Sequence, residues 1–171
     1  SMLLQSLLYF CDPNTCSKAA NIQASDTISN IIQDEDVSFR LENYMADIWQ
    51  RLMQIIPYQN CKGFYEGLQE IVAGHMEVVF PYIGQLVPVL VKKIQDEFSR
   101  TQPKPGKNRK TSTIIIKCWN IIRGLEENKD LTPELALQLE QYLLPLFEFM
   151  RNPSEIDFDD DIVLFETALK K

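Results

Sequence analysis

His75 is the only histidine in the chain, so any chemistry that needs an imidazole has to be built around it. It sits in VAGHMEVV (72–79). The sequence offers no serine or cysteine in a recognisable nucleophile elbow, no glycine-rich phosphate cradle and no histidine–carboxylate spacing for a metal. The expectation is a structural imidazole near the negative end of a helix dipole. Cys11, Cys16, Cys61 and Cys118 are too few and too irregularly spaced for a disulfide framework or paired zinc knuckles, and read as reduced, mostly buried thiols. The acidic run from Asp157 to Asp161 could in principle hold magnesium through its carboxylates. A first helical turn explains it better, because each acid there is favoured by about 0.3–1 kcal/mol, while Phe158, Ile162, Phe165 and Leu169 supply an apolar stripe. These residues suggest no reaction. The chain is expected to be non-enzymatic, with no catalytic, cofactor-binding or metal-ligating residue and no cofactor.

Charge is more informative. The stretch SRTQPKPGKNRKT (99–111) carries Arg100, Lys104, Lys107, Arg109 and Lys110 and no acid, inside a chain of net charge -7. Setting aside those five charges leaves -12 on the rest. Two prolines, a glycine and no large apolar residue predict a surface loop for 99–111, with a nuclear signal or an RNA-contacting loop as alternatives. An acidic body favours basic partners by electrostatic steering, or serves solubility, and disfavours direct contact with bare nucleic acid.

The 171 residues suffice for one domain core. No apolar run approaches the roughly 20 residues of a membrane span, and the first residues lack the flank and cleavage site of a signal peptide. The expectation is a soluble intracellular protein, and the chain reads as a piece of a longer one. Apolar residues recur three and four apart throughout, and no strand alternation stands out. Leu41, Met45, Ile48, Leu52 and Ile55 form one such stripe, widened by Trp49 and Met53. The spacing predicts helices over 2–10, 17–33, 38–56, 62–78, 81–99, 112–127, 133–150 and 157–169. Ser38 is expected to cap the third, Thr132 with Pro133 to open the seventh and Ser154 to precede the eighth.

Alternate helices begin near residues 17, 62, 112 and 157, a period of about 45–50 residues, close to the 40–47 of helix-pair solenoids of the HEAT and armadillo kind. The second helices share YMADIW (44–49), IGQLVPVL (83–90) and YLLPLF (142–147). Aligning Pro88 with Pro145 superposes their apolar neighbours. A proline inside a helix costs about 3 kcal/mol, and Gly84, four residues earlier, would ease the ring's clash. The expected fold class is therefore all-α: a right-handed α-α superhelix of HEAT/armadillo-type pairs, one solenoid over 1–171.

The segments RLENYMADIWQRLMQIIPYQNCKGFYEGLQEIVAGHMEVVFPYIGQLVPVLVKKIQDEF (40–98) and STIIIKCWNIIRGLEENKDLTPELALQLEQYLLPLFEFMRN (112–152) resemble central HEAT repeats of importin-beta-type nuclear transport receptors, nearest the importin seven and importin eight branch. FDDDIVLFETALK (158–170) resembles the first helix of the following repeat. The resemblance implies a fragment of a superhelical import receptor that shuttles between cytoplasm and nucleus. Its partners would be basic cargo proteins such as ribosomal proteins or histones, together with the GTPase Ran and nuclear pore proteins through the full-length receptor. No membrane partner is implied, and no Ran site falls on this fragment. Second helices would line the concave face, which offers Glu42, Asp47, Gln50, Asp96, Glu140 and Glu148 as cargo contacts. The basic loop departs from the acidic connections expected of that branch. A HEAT scaffold outside transport, of phosphatase or chromosome-organising type, is the alternative.

Overall fold

The computed structural model describes residues 2–100 and 112–150. All regular structure among them is helical. The elements are α1 (Met2–Phe10), α2 (Lys18–Gln33), α3 (Glu35–Arg40), α4 (Met45–Ile55), α5 (Lys62–Gly74), α6 (Met76–Val79), α7 (Ile83–Arg100), α8 (Thr113–Glu126) and α9 (Pro133–Met150). Single 3-10 turns at Glu42–Tyr44, Ile56–Tyr58 and Phe80–Tyr82 join α3 to α4, follow α4 and lead into α7.

Side-chain caps define where these helices begin. Ser17 accepts from the Ala20 amide, Ser112 from Ile114 and Thr132 from Leu135, while Asp34 accepts from both Asp36 and Val37. Each cap satisfies a backbone donor that has no partner inside its own helix. Pro133 at the first position of α9 gives up an amide that would have lacked one anyway.

The helices lie in two layers. In one, α2 packs on α5 and α5 on α8. In the other, α1 meets α4, α4 continues through its 3-10 turn onto α7, and α7 packs on α9. Successive helices join the layers, α1 against α2, α4 against α5 and α7 against α8. A single core runs between them, from Cys11 and Ile28 through Trp49, Tyr65 and Leu90 to Trp119 and Leu143.

The close approach of α2 to α5 depends on small residues. Ser25 and Ser29 are buried on α2, and Gly63 and Gly67 are buried one turn apart on α5. A Cβ on Gly63 would sit 2.0 Å from Oδ1 of Asp26, whereas one on Gly67 would make ordinary contacts at 3.5 Å and beyond. Gly84 on α7 has a similar role, since its Cβ would lie 3.0 Å from the Tyr142 hydroxyl of α9. Pro88 and Pro145 both lie inside their helices.

Two predicted helices are interrupted. The stretch 38–56 divides into α3, a 3-10 turn and α4, and its cap is Asp34; Ser38 lies inside α3 with its hydroxyl committed elsewhere. Asp34, with Glu35 and Asp36 in the first turn, outcompetes Ser38 by taking two amides at once. The stretch 62–78 ends at Gly74, where His75 leaves helical geometry at φ -136° and ψ 49°. There the chain bends by 104° between α5 and the run from Met76 to Arg100. No single helix among the described residues is long and apolar enough to cross a membrane. The predicted loop lies outside the described residues from 101 to 111, as do the predicted helix 157–169 and its acidic run.

Candidate protein-binding face

Five of the six sequence-predicted contact residues fall on α4, α7 and α9. On α4 the buried side is Met45, Ile48, Trp49, Leu52, Met53 and Ile55. That burial turns Asp47, Gln50 and Gln54 to the surface, as the helical period requires. Gln50, Met53, Gln54 and Pro57 form one wall of a groove of about 460 Å³ whose other wall is Tyr82, Gln85 and Val89 at the start of α7. Gln50 Nε2 donates to the Tyr82 hydroxyl across it. The lining carries no charge: three side-chain amides and a phenol stand over Met53, Pro57 and Val89. Such amides both donate and accept, which suits the alternating donors and acceptors of a peptide backbone.

Charge is distributed unequally between the two layers. Helix α9 carries Glu134, Glu140 and Glu148 and no basic residue. Among the described residues Asp47, Glu140 and Glu148 are exposed and have no ion-pair partner. In the other layer, Lys117 of α8 holds Glu66 of α5 at 3.1 Å, Lys62 approaches the same carboxylate at 3.6 Å, and Arg123 pairs with Glu127 at 3.3 Å. The hydrogen bond from Lys117 holds the Glu66 carboxyl below its usual range. Both sides hold ion pairs, Arg51–Asp12, Lys92–Asp96 and Arg100–Glu97 on the α4–α7–α9 side, and the unbalanced acid lies on α9.

Asp96 and Glu42 differ from the others. Asp96 is exposed but engaged by Lys92 at 3.5 Å, one turn away on α7. Glu42 is not on this face. It lines a second cleft of about 490 Å³ at the corner where α3 meets the end of α5, with Phe39, Glu35, Glu70 and Glu77. The expected continuous helix over 38–56 put Glu42 on the polar side with Asp47 and Gln50, and the 3-10 turn at Glu42–Tyr44 displaces it.

That corner also holds the contact that the sequence reading missed. Ser38 Oγ and His75 Nε2 are 2.9 Å apart, and His75 Nδ1 is 3.7 Å from Glu77. The order serine–histidine–glutamate is that of a hydrolytic triad, but the setting is not. Ser38 is buried inside α3, and its own amide, the usual oxyanion donor, is bound to the Asp34 carbonyl at 2.8 Å. The arrangement instead ties α3 to the bend after α5. The two residues are 37 positions apart, and no local pattern links them.

Lys93, Cys11 and Cys118 are titratable groups held in the interior. Lys93 is buried on α7, donating to Asn60 Oδ1 at 2.9 Å and to the Pro57 carbonyl at 3.4 Å; burial lowers its pKa against the pull of Glu97. Burial pushes the Cys11 and Cys118 thiols up to about 12, so neither is a nucleophile at neutral pH. All four cysteines are free, and no cluster of His, Cys, Asp or Glu among the described residues is arranged to hold a metal.

No family model, curated protein or solved structure matches this chain.

Proposed function

We propose that the chain is part of a HEAT-type helical scaffold that binds basic protein segments on its α4–α7–α9 face, and that the scaffold belongs to an importin-beta-type nuclear import receptor. The observation that carries the binding reading is the unequal charge of the two layers. Asp47, Glu140 and Glu148 stand exposed on the layer that also holds an uncharged, amide-lined groove, while Lys117 and Lys62 hold Glu66 and Arg123 pairs with Glu127 in the other layer. Carboxylates of this kind attract lysine and arginine from a distance, and the glutamines give short-range contacts to whatever backbone arrives. In this reading α2, α5 and α8 are the outer helices of successive pairs, α4, α7 and α9 are the inner ones, and the superhelix is right-handed. The scaffold works by binding and not by catalysis, shuttles between cytoplasm and nucleus, and releases cargo when Ran-GTP binds elsewhere on the full-length receptor.

Two measurements test this. The chain should retain a basic protein such as a core histone or a ribosomal protein at low salt and lose it as salt rises. The longer protein that contains it should lose the same partner when Ran-GTP is added. Retention of the basic protein without release by Ran-GTP would keep the scaffold and reject the transport role. No retention at low salt would reject both.

A further inference from the structure

The groove between α4 and α7 has walls that run in the same direction, since Gln50 meets Tyr82 and, seven residues later, the Pro57 carbonyl accepts from Lys93. Its amides are only half used. Gln50 spends Nε2 on the Tyr82 hydroxyl, and Gln54 spends Oε1 on Arg51 at 3.3 Å. Gln50 Oε1, Gln54 Nε2 and both ends of the Gln85 amide have no partner among the described residues. Between them lies an apolar floor of Met53, which is buried, and Val89, which is half-buried.

The two ends of the groove differ in charge. Asp47 stands three residues before Gln50 and seven before Gln54, which puts it on the same stripe of α4 and about 4.5 Å from Gln50 along the axis. It is exposed and has no ion-pair partner among the described residues. Arg51, one turn further on, turns to Asp12 at 3.6 Å. At the other end Lys92 continues the Gln85–Val89 stripe of α7, but Asp96 meets its charge at 3.5 Å. The groove is therefore neutral in the middle, negative at the Asp47 end and balanced at the Lys92 end.

We infer that this groove takes an extended segment of a partner protein, with an aliphatic residue over Met53 and Val89 and a lysine or arginine two positions away on Asp47. The inference rests on the binding face proposed above and names the partner's local chemistry. The spacing follows from lengths. Asp47 and Met53 are six residues apart, about 9 Å along the helix, while side chains two positions apart on an extended segment face the same side with Cα atoms about 7 Å apart. The reach of a lysine closes the difference. The open donors and acceptors of the glutamines serve the segment's backbone on both sides of the aliphatic residue. A helical segment would spend its backbone groups on itself and leave those amides unused, and an acidic segment would be repelled at Asp47.

The test titrates the whole chain with short serine-rich peptides at low salt, followed by heteronuclear NMR. The parent peptide carries one leucine with a lysine two positions to either side, so that both chain directions satisfy Asp47. One control moves both lysines at least five positions from the leucine at unchanged composition, and a second replaces the leucine with serine. The parent should bind about three-fold tighter than the first control and about ten-fold tighter than the second, and should move the side-chain amide signals of Gln50, Gln54 and Gln85. Asp47→Asn should remove the first difference and keep the second, and Val89→Ser should do the reverse. Gln85→Ala, at an exposed position, should weaken the parent peptide at unchanged melting temperature, which separates a lost contact from lost folding. Equal affinity for the parent and the first control, a leucine that contributes nothing, or amide signals that stay in place while the peptides bind overturns the inference. A chain that gives any of these results yet retains a core histone at low salt keeps the binding face and loses the groove as its reader. A chain that retains no basic protein loses both.

Discussion

The Ser112 hydroxyl lies 3.0 Å from the buried Glu97 carboxylate while accepting from the Ile114 amide, so one side chain caps α8 and ties it to the last turn of α7. Arg100 donates to the same carboxylate through Nε and Nη2 at 3.1 and 2.8 Å. The two ends of the 101–111 connection thus converge on Glu97. Ser112→Ala should cost about 1–2 kcal/mol, the sum of a lost cap and a carboxylate losing one donor. Denaturant melts should show a lower midpoint at unchanged slope. Ser112→Thr should recover most of the loss, because it restores the hydroxyl.

The same carboxylate makes a pH prediction. The Arg100 hydrogen bonds, with Ser112 and against the opposing effect of burial, hold Glu97 below its ordinary value of 4.5. A carboxyl lowered in the folded state adds stability at every pH above its unfolded value and loses it as pH falls through the folded value. Glu97→Gln should therefore be less stable than the unaltered chain at pH 7. The gap should narrow only below about pH 4.5, where the unaltered carboxyl begins to take up its proton in the unfolded state. Melting temperatures of both proteins measured from pH 7 to pH 3 check this. A gap constant across that range would mean that Glu97 contributes shape and not charge.

The glycines of α5 should respond in opposite directions. Gly67→Ala meets only ordinary contacts to Ser29 and Ile32, and alanine is favoured over glycine inside a helix, so it should gain about 0.5–1 kcal/mol. Gly63→Val should lose about 2 kcal/mol or more, because the added carbons fall on Asp26 and the Asp26 backbone stands only 3.4 Å from the first of them. Thermal melts of the two variants would separate a specific seam between α2 and α5 from a general dislike of change in that helix.

How far these features were legible from sequence depends on how local their causes are. Helices with a capping hydroxyl and a clean stripe, α2, α8 and α9, lie within a residue or so of their predicted places because cap and period act over a few residues. The break at Leu41–Tyr44 was hidden by the stripe itself. Leu41, Met45, Ile48 and Leu52 keep helical spacing across it, so periodicity runs through a turn that the backbone does not follow as α-helix. Glu42 was misplaced for that reason. The Ser38–His75 contact depends on the bend after Gly74 and on α3 packing at that corner, which no pattern in either segment encodes. The exposed positions Asp47, Gln50 and Glu140 were readable because exposure on an amphipathic helix is the complement of its buried stripe. That α4, α7 and α9 share one layer depends on how they pack, which the pattern of no single helix encodes.

The proposed binding face makes the last prediction. Asp47→Lys, Glu140→Lys and Glu148→Lys reverse three exposed acids of the α4–α7–α9 layer. Asp26→Lys and Glu70→Lys reverse exposed acids of the other layer that have no ion-pair partner among the described residues, and serve as the comparison per charge reversed. Each exposed pair contributes only about 0.2–1 kcal/mol, so single reversals should change affinity for a basic protein by a few-fold and the triple reversal by ten-fold or more. The comparison pair should have a smaller effect, since only the general attraction of net charge is altered. Raising ionic strength from about 50 to 300 mM shortens the Debye length and should shrink the difference between the two sets. Asp96→Lys should add little, because Lys92 already engages that carboxylate at 3.5 Å. Equal losses from the two layers would leave net charge as the whole explanation and remove the α4–α7–α9 face from the mechanism. A loss confined to Gln50→Ala and Gln85→Ala, with charge reversals silent, would move recognition into the groove and make the partner's backbone, not its basic side chains, the feature being read.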